Sequence, residues 1–231
     1  MGPKLKQEFK MTETTIYLIR HGQTYFNRYN RMQGWSDSPL TEQGILDAQR
    51  VGKSLSQVTF NQAYCSDTGR ARSTARLILK ANQASQLTEP VETPFFREEF
   101  YGYFEGMNSP QAWFMTGASH GSRTYTDIIN DYSIDASKDF MKAADPFHDA
   151  ENSTEYWNRL LLGFDMVRRD NPTGATILLV SHGTTTRSIV GKFGQGKFDL
   201  SKSPRNGSVT KLLLDKSDIH VAYYNRIDNI D

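Results

Sequence analysis

YLIRHGQT (residues 17–24) and LLVSHGTT (residues 178–185) decide how this chain is read. Each is an apolar run of strand length that stops at His-Gly, with a threonine three residues beyond the histidine. Runs this short, β-branched and greasy suit buried strands. The order of elements around them makes the sheet mostly parallel. TTIYLI (14–19) leads to a polar loop and then to a helix capped by Thr41, with Ile45, Ala48, Val51, Leu55 and Val58 at helical spacing. QAYCS (62–66) is a second strand, and Ser66 or Asp67 opens a helix bearing Ala71, Ala75, Ile78 and Leu79. PVETPFF (90–96) reads as extended because of its two prolines. STEYWNRLLLGFDMVRRD (153–170) is a strong amphipathic helix and ATILLVS (175–181) the clearest buried strand. VTKLLLD and IHVAYYN then suggest an antiparallel pair at the sheet edge.

Strands alternating with helices predict a three-layer α/β/α sandwich around a mostly parallel central sheet. Residues 1–13 read as a flexible leader, with Met11 a candidate natural start. Residues 14–231 form one domain, with the polar, aromatic stretch 107–150 inserted as a lid. In such sheets ligands collect beyond the carboxyl ends of the strands, where both His-Gly pairs fall.

Composition narrows the partners. Lys and Arg number 27 against 26 Asp and Glu, a net charge of +1, which argues against a nucleic-acid binder relying on bulk charge. Cys65 is the single cysteine, so no disulfide framework exists within the chain and a reducing compartment fits. No run is long enough to span a membrane, and MGPKLKQEFK has neither a secretory core nor a myristoylation pattern. The expected location is the cytoplasm and the expected partner a small phosphorylated substrate. Self-association is left open.

Chemistry is concentrated at the strand ends. Arg20 adjoins His21, and Arg70 lies just after the second strand; with His182 they converge at one crevice if all three strands share a sheet. Guanidiniums beside two imidazoles call for an anion, and their forked donors match phosphate oxygens. Phosphate is favoured over carboxylate because a neutral imidazole attacks phosphorus well. Neighbouring arginines would keep that imidazole unprotonated and steady the transferring group. No Walker loop, His-Glu-x-x-His or paired cysteine supports metal or nucleotide-loop chemistry, so no metal or cofactor is expected. FFREEFYGYFEG (95–106) offers carboxyls at Glu98, Glu99 and Glu105 to protonate a leaving group, and spacing alone does not choose among them. His120-Gly121 follows no strand and is given no role.

In this order, LIRHGQT with Asn27, SDTGRA (66–71), REEFYG (97–102) and VSHGTTTR (180–187) resemble the four signatures of the histidine phosphatase superfamily, the phosphoglycerate mutase-like clan. The resemblance runs from Ile16 to about Gly207. It implies that His21 is the phosphorylated nucleophile and that His182 shares the catalytic centre. It assigns Arg20, Arg70 and Asn27 to the phosphate pocket, lined also by Gln23, Thr24 and Gly183. The family's acid precedes an aromatic-Gly pair by three residues, which selects Glu98. Where mutases of the family carry Glu-Arg-His-Tyr-Gly, this chain has Glu98-Glu99-Phe100-Tyr101-Gly102, losing a cation that a second anionic group would use. With NGSVTKL (206–212), this points to the phosphatase branch. The expected function is a metal-independent phosphomonoesterase. The alternatives are a bisphosphoglycerate-dependent mutase and a non-catalytic phospho-ligand-binding module. Trp113, Phe114, Tyr125 and Tyr132 of the lid are expected to shape the leaving-group side or, for most of them, to form the lid's own core.

Overall fold

The structure, a computed structural model, describes residues 13–228 and 230, so the expected leader lies outside them except for Glu13. In chain order the elements are β1 (Thr14–Arg20), α1 (Tyr25–Arg28), α2 (Glu42–Ser54), β2 (Gln62–Ser66), α3 (Gly69–Ala81) and β3 (Val91–Thr93). Then follow α4 (Ser109–Gly117), α5 (Tyr125–Asp131), α6 (Ile134–Ala144), α7 (Ser153–Asp170), β4 (Thr176–Ser181), α8 (Gly183–Phe193), β5 (Val209–Leu214) and β6 (Ile219–Arg226). The six strands form one sheet in the order β3-β2-β4-β1-β5-β6. The first four in that order run parallel, while β5 and β6 add an antiparallel edge.

Alternating side chains of the central strands feed two cores. Tyr17, Ile19, Leu178 and Val180 pack under α2 and α3 with Val51, Leu55, Ala71, Ala75 and Ile78. Ile16, Leu18, Ile177 and Leu179 meet Tyr156, Leu160, Phe164 and Val167 of α7, with Ile189 of α8, on the opposite face. Fully burying each such Leu or Ile contributes roughly 1.5–3 kcal/mol, which secures the layering. A third cluster lies apart from both: Ala112 and Trp113 of α4, Ile128 of α5 and Met141 of α6 surround Met32, Tyr101 and Phe104. No helix among the described residues is long and apolar enough to cross a membrane.

Three local expectations change. PVETPFF is extended only over Val91–Thr93; Pro94–Phe96 forms a 3-10 turn, which proline tolerates at its first position and which the Thr93 side chain caps. The helix after β2 is capped at Thr68, because Ser66 still belongs to the strand and its hydroxyl accepts from the Thr68 N–H. On α2, Gly44 takes the inward position, and Ile45 is 39% exposed. The backbones at Gly22 and Gly44 touch: a Cβ on Gly22 would lie 2.2 Å from the Gly44 carbonyl oxygen. The 107–150 stretch holds three α-helices, opened by side-chain caps at Asn108, Thr124 and Ser133.

Candidate active site

The register of β1 and β4 brings the two His-Gly pairs together. Arg20 pairs with Ser181, so His21 and His182 leave adjacent parallel strands at the same level. Their rings lie 5.2 Å apart, edge to face. The chain after β1 feeds α2 on one face, whereas β4 feeds α8 on the other, so the rings sit at a topological switch point.

The hydrogen bonds assign the tautomers. His21 Nδ1 lies 2.8 Å from the Gly22 carbonyl oxygen, which only accepts, so Nδ1 carries the proton and Nε2 keeps its lone pair. Arg70 Nη2 lies 3.1 Å from His182 Nδ1; a guanidinium only donates, so the neutral His182 ring bears its proton on Nε2. Burial, then the charges of Arg70 and Arg20, hold His21 well below the ordinary imidazole value. Burial, then Arg70 and His21, do the same to His182. Both rings are therefore neutral near pH 7. One offers a lone pair and the other an N–H.

Around them, Arg20 Nε, Arg70 Nε and His182 Nε2 are buried and have no hydrogen-bond partner among the described residues. Arg20 is tethered through Nη1 to the Pro204 carbonyl. Its guanidinium lies against Gly183, where a Cβ would come within 3.0 Å of Cζ. Arg70 is committed at its other nitrogens to the Gln33, Gly34 and Ser36 carbonyls and to Asp37. It acts on the site through its charge and its grip on His182. Asn206 donates to the His21 carbonyl and to Asn27 Oδ1, which also accepts from the Thr24 N–H. Asn27 is thereby oriented with its Nδ2 left to donate.

These groups open on a cleft of about 310 Å³ lined by Arg20, His21, Asn27, Glu98, Gly183 and, on the α4–α5 side, Trp113 among others. Of the three candidate carboxyls, only Glu98 reaches it. Its Oε1 accepts from the Thr185 N–H and hydroxyl and from the Glu99 N–H, and its Oε2 from the Thr184 N–H at 2.8 Å. The carboxyl therefore rests on the first turn of α8, with Oε2 the less occupied oxygen. Glu105 instead knits the loop that holds Arg70, accepting from the Gly34, Trp35 and Ser36 N–H groups. Glu99 is wholly buried and its oxygens are unpartnered among the described residues. Burial raises it well above the usual carboxylate range, against the opposing charge of Lys138.

Two expected lining residues are turned elsewhere. The Thr24 hydroxyl caps α1 through the Asn27 N–H and donates to Gln33, because it begins a helix. The Gln23 side chain meets Thr41 and lines a separate outer groove. Conversely, Arg31, Met32, Ser109 and Ser203 line the cleft without any motif that singles them out, whereas Asn206 belongs to the NGS triplet. Trp113 and Tyr125 meet at the cleft wall, their ring centres 4.4 Å apart and tilted by 38°, while Phe114 and Tyr132 are half exposed. His120 stacks on Phe140 and does not line the cleft. The one described His-carboxylate group that could hold a metal, Glu13, Asp215 and His220, lies at the amino ends of the parallel strands, the far edge from the cleft.

Known proteins resemble this chain in sequence and fold. A family profile described as the histidine phosphatase superfamily (branch 1) matches residues 16–227. A 2,3-bisphosphoglycerate-dependent phosphoglycerate mutase 2 from Gloeobacter violaceus is 30% identical over 76% of this chain and 73% of its own. The fructose-2,6-bisphosphatase TIGAR of Xenopus laevis is 29% identical over 79% of this chain and 76% of its own. The crystal structure of phosphoglycerate mutase from Bacillus anthracis superposes with a TM-score of 0.87 at 31% identity, covering 95% of this chain and 96% of that one.

Proposed function

This chain belongs to the histidine phosphatase superfamily, branch 1, whose similar members carry both phosphatase and mutase names, and we propose that it is a metal-independent phosphomonoesterase. The observation that carries the reading is the opposed pair of tautomers, a free Nε2 lone pair on His21 beside an unpartnered N–H on His182. His21 Nε2 attacks phosphorus and the bond to the leaving oxygen breaks, while Glu98, protonated on Oε2, gives that oxygen its proton. The phosphoryl oxygens are held by the His182 Nε2–H, the Arg20 guanidinium, the Asn27 amide and the Gly183 N–H. Water then attacks the phosphohistidine, Glu98 takes its proton, and inorganic phosphate leaves with the ring restored. The α4–α6 segment acts as a lid whose Trp113 and Tyr125 shape the leaving-group side.

Hydrolysis is favoured over internal transfer because residue 99, the position where mutases carry arginine, is a buried glutamate outside the cleft. Arg31 supports the mutase reading, since it supplies one cation on the leaving-group side. A panel of phosphomonoesters run with chelator separates the two. Phosphatase chemistry releases inorganic phosphate and leaves an acid-labile label on protein quenched in turnover, which His21→Ala abolishes. Interconversion of phosphoglycerates without phosphate release would assign the mutase instead. Binding with no turnover across the panel would leave only a phospho-ligand module.

A further inference from the structure

Glu98 stands on backbone without regular structure, between the turn ending at Phe96 and the turn beginning at Gly102. No sheet ladder or helix fixes its height over α8, and a carboxyl misplaced by an ångström is a poor proton donor. The fixing comes from the opposite side of the loop. Arg159 of α7 donates through Nη2 to the Glu98 carbonyl at 3.1 Å, and through Nη1 to the carbonyls of Arg97, Phe95 and Pro94 at 3.1, 3.0 and 3.3 Å. Its Nε and Nη2 also grip Glu151, each at 2.7 Å, in a bidentate pair whose side chains are 13% and 10% exposed. Glu151 in turn accepts from the Phe100 N–H at 3.0 Å and donates its own N–H to the Phe100 carbonyl at 2.9 Å. Trp35 Nε1 adds a second donor to the Glu98 carbonyl. Neither Arg159 nor Glu151 lines the cleft.

On the reading of Glu98 as the acid, we propose that Arg159 and Glu151 are a positioning pair for proton transfer, clamping the loop on both sides of Glu98 so that its carboxyl meets the leaving oxygen. The guanidinium shape matters as much as its charge. One planar fork spans four carbonyls and both carboxylate oxygens, which a lysine ammonium, a single point of charge, does not. A lysine would still neutralise Glu151, so Arg159→Lys separates geometry from charge.

The experiment measures kcat/KM for Arg159→Lys and Glu151→Gln on a series from nitrophenyl to alkyl phosphates, alone and combined with Glu98→Gln. Alkyl leaving groups need the proton and nitrophenolate does not. Arg159→Lys should therefore lower kcat/KM about tenfold or more for alkyl phosphates and leave nitrophenyl phosphate within about twofold. Glu151→Gln, which keeps an acceptor for Phe100, should show the same selectivity more weakly. Neither substitution should cost anything further in the Glu98→Gln background. Equal loss across the series, or full additivity with Glu98→Gln, would overturn the proposal and leave the pair a mere structural staple. If Arg159→Lys fails to fold, Glu151→Gln alone decides by the same criterion. A Glu98→Gln enzyme with the wild-type leaving-group profile would remove the acid itself, and the clamp's purpose with it.

Discussion

The ends of β1 and β4 carry the same His-Gly pair at the same height of the sheet, yet the two rings face the cleft with opposite chemistry. A carbonyl beneath His21 draws the proton to Nδ1, and a guanidinium beside His182 drives it to Nε2. The glycines differ as well. Gly22 admits the backbone of α2, whereas Gly183 admits a side chain, the tethered guanidinium of Arg20. Residue type is thus shared while role is set by the partner behind each ring.

Substitution of the histidines should break the likeness most sharply. His21→Ala removes the attacking atom and should lower kcat by about 10⁴-fold or more, with no acid-labile label formed. His182→Ala removes one donor to the phosphoryl group and should cost about 10²–10³-fold, while rapid quenching still detects slow labelling of His21. Comparable losses with no label in either variant would make the two rings one functional unit.

Next come the glycines. Gly22→Ala drives a methyl into the Gly44 backbone, which has no cheap way to yield, and should destabilise the fold by about 1–3 kcal/mol in urea titration. Gly183→Ala meets a guanidinium that shifts by a few tenths of an ångström, so the urea midpoint should hardly move and KM should rise severalfold.

The smallest effect is on the pH dependence of stability. The folded-state values of both histidines lie below 6.5, the value of a free imidazole. As pH falls through 6.5 the unfolded chain binds protons that the folded chain does not, so stability is lost on acidification and is fully present above 6.5. Replacing either histidine by Asn should flatten part of that slope, as read from urea midpoints on the two sides of 6.5. An unchanged slope in the His21 variant would mean that neither burial nor the charges of Arg70 and Arg20 depress that ring's proton affinity.

Much of this was legible beforehand where a residue's local pattern also sets its surroundings. α7 runs from Ser153 to Asp170 as its helical period predicts, and β4 ends at the Ser181 that precedes His182. The ends of β1 and β4, with the loop that follows β3, bring Arg20, His21, His182 and Glu98 to one cleft. Gln23 and Thr24 mislead because adjacency in sequence says nothing about direction: Thr24 turns into a helix cap and Gln23 toward Thr41. Arg31, Met32 and Ser203 were invisible because they enter from irregular loops with no periodicity to read. Glu98, Glu99 and Glu105 were equivalent as charges; only tertiary contacts give one the first turn of α8, one a dry interior and one a loop to tie.

The separateness of the third apolar cluster bears on how such a chain diversifies. Ala112, Ile128 and Met141 pack with Met32, Tyr101 and Phe104 rather than in the two cores beneath α2, α3 and α7, so altering them reaches the cleft wall through Met32 and Tyr101 and leaves both sheet cores intact. Libraries confined to α4–α6 should therefore yield folded proteins with redirected substrate preference far more often than libraries of equal size drawn from the strands.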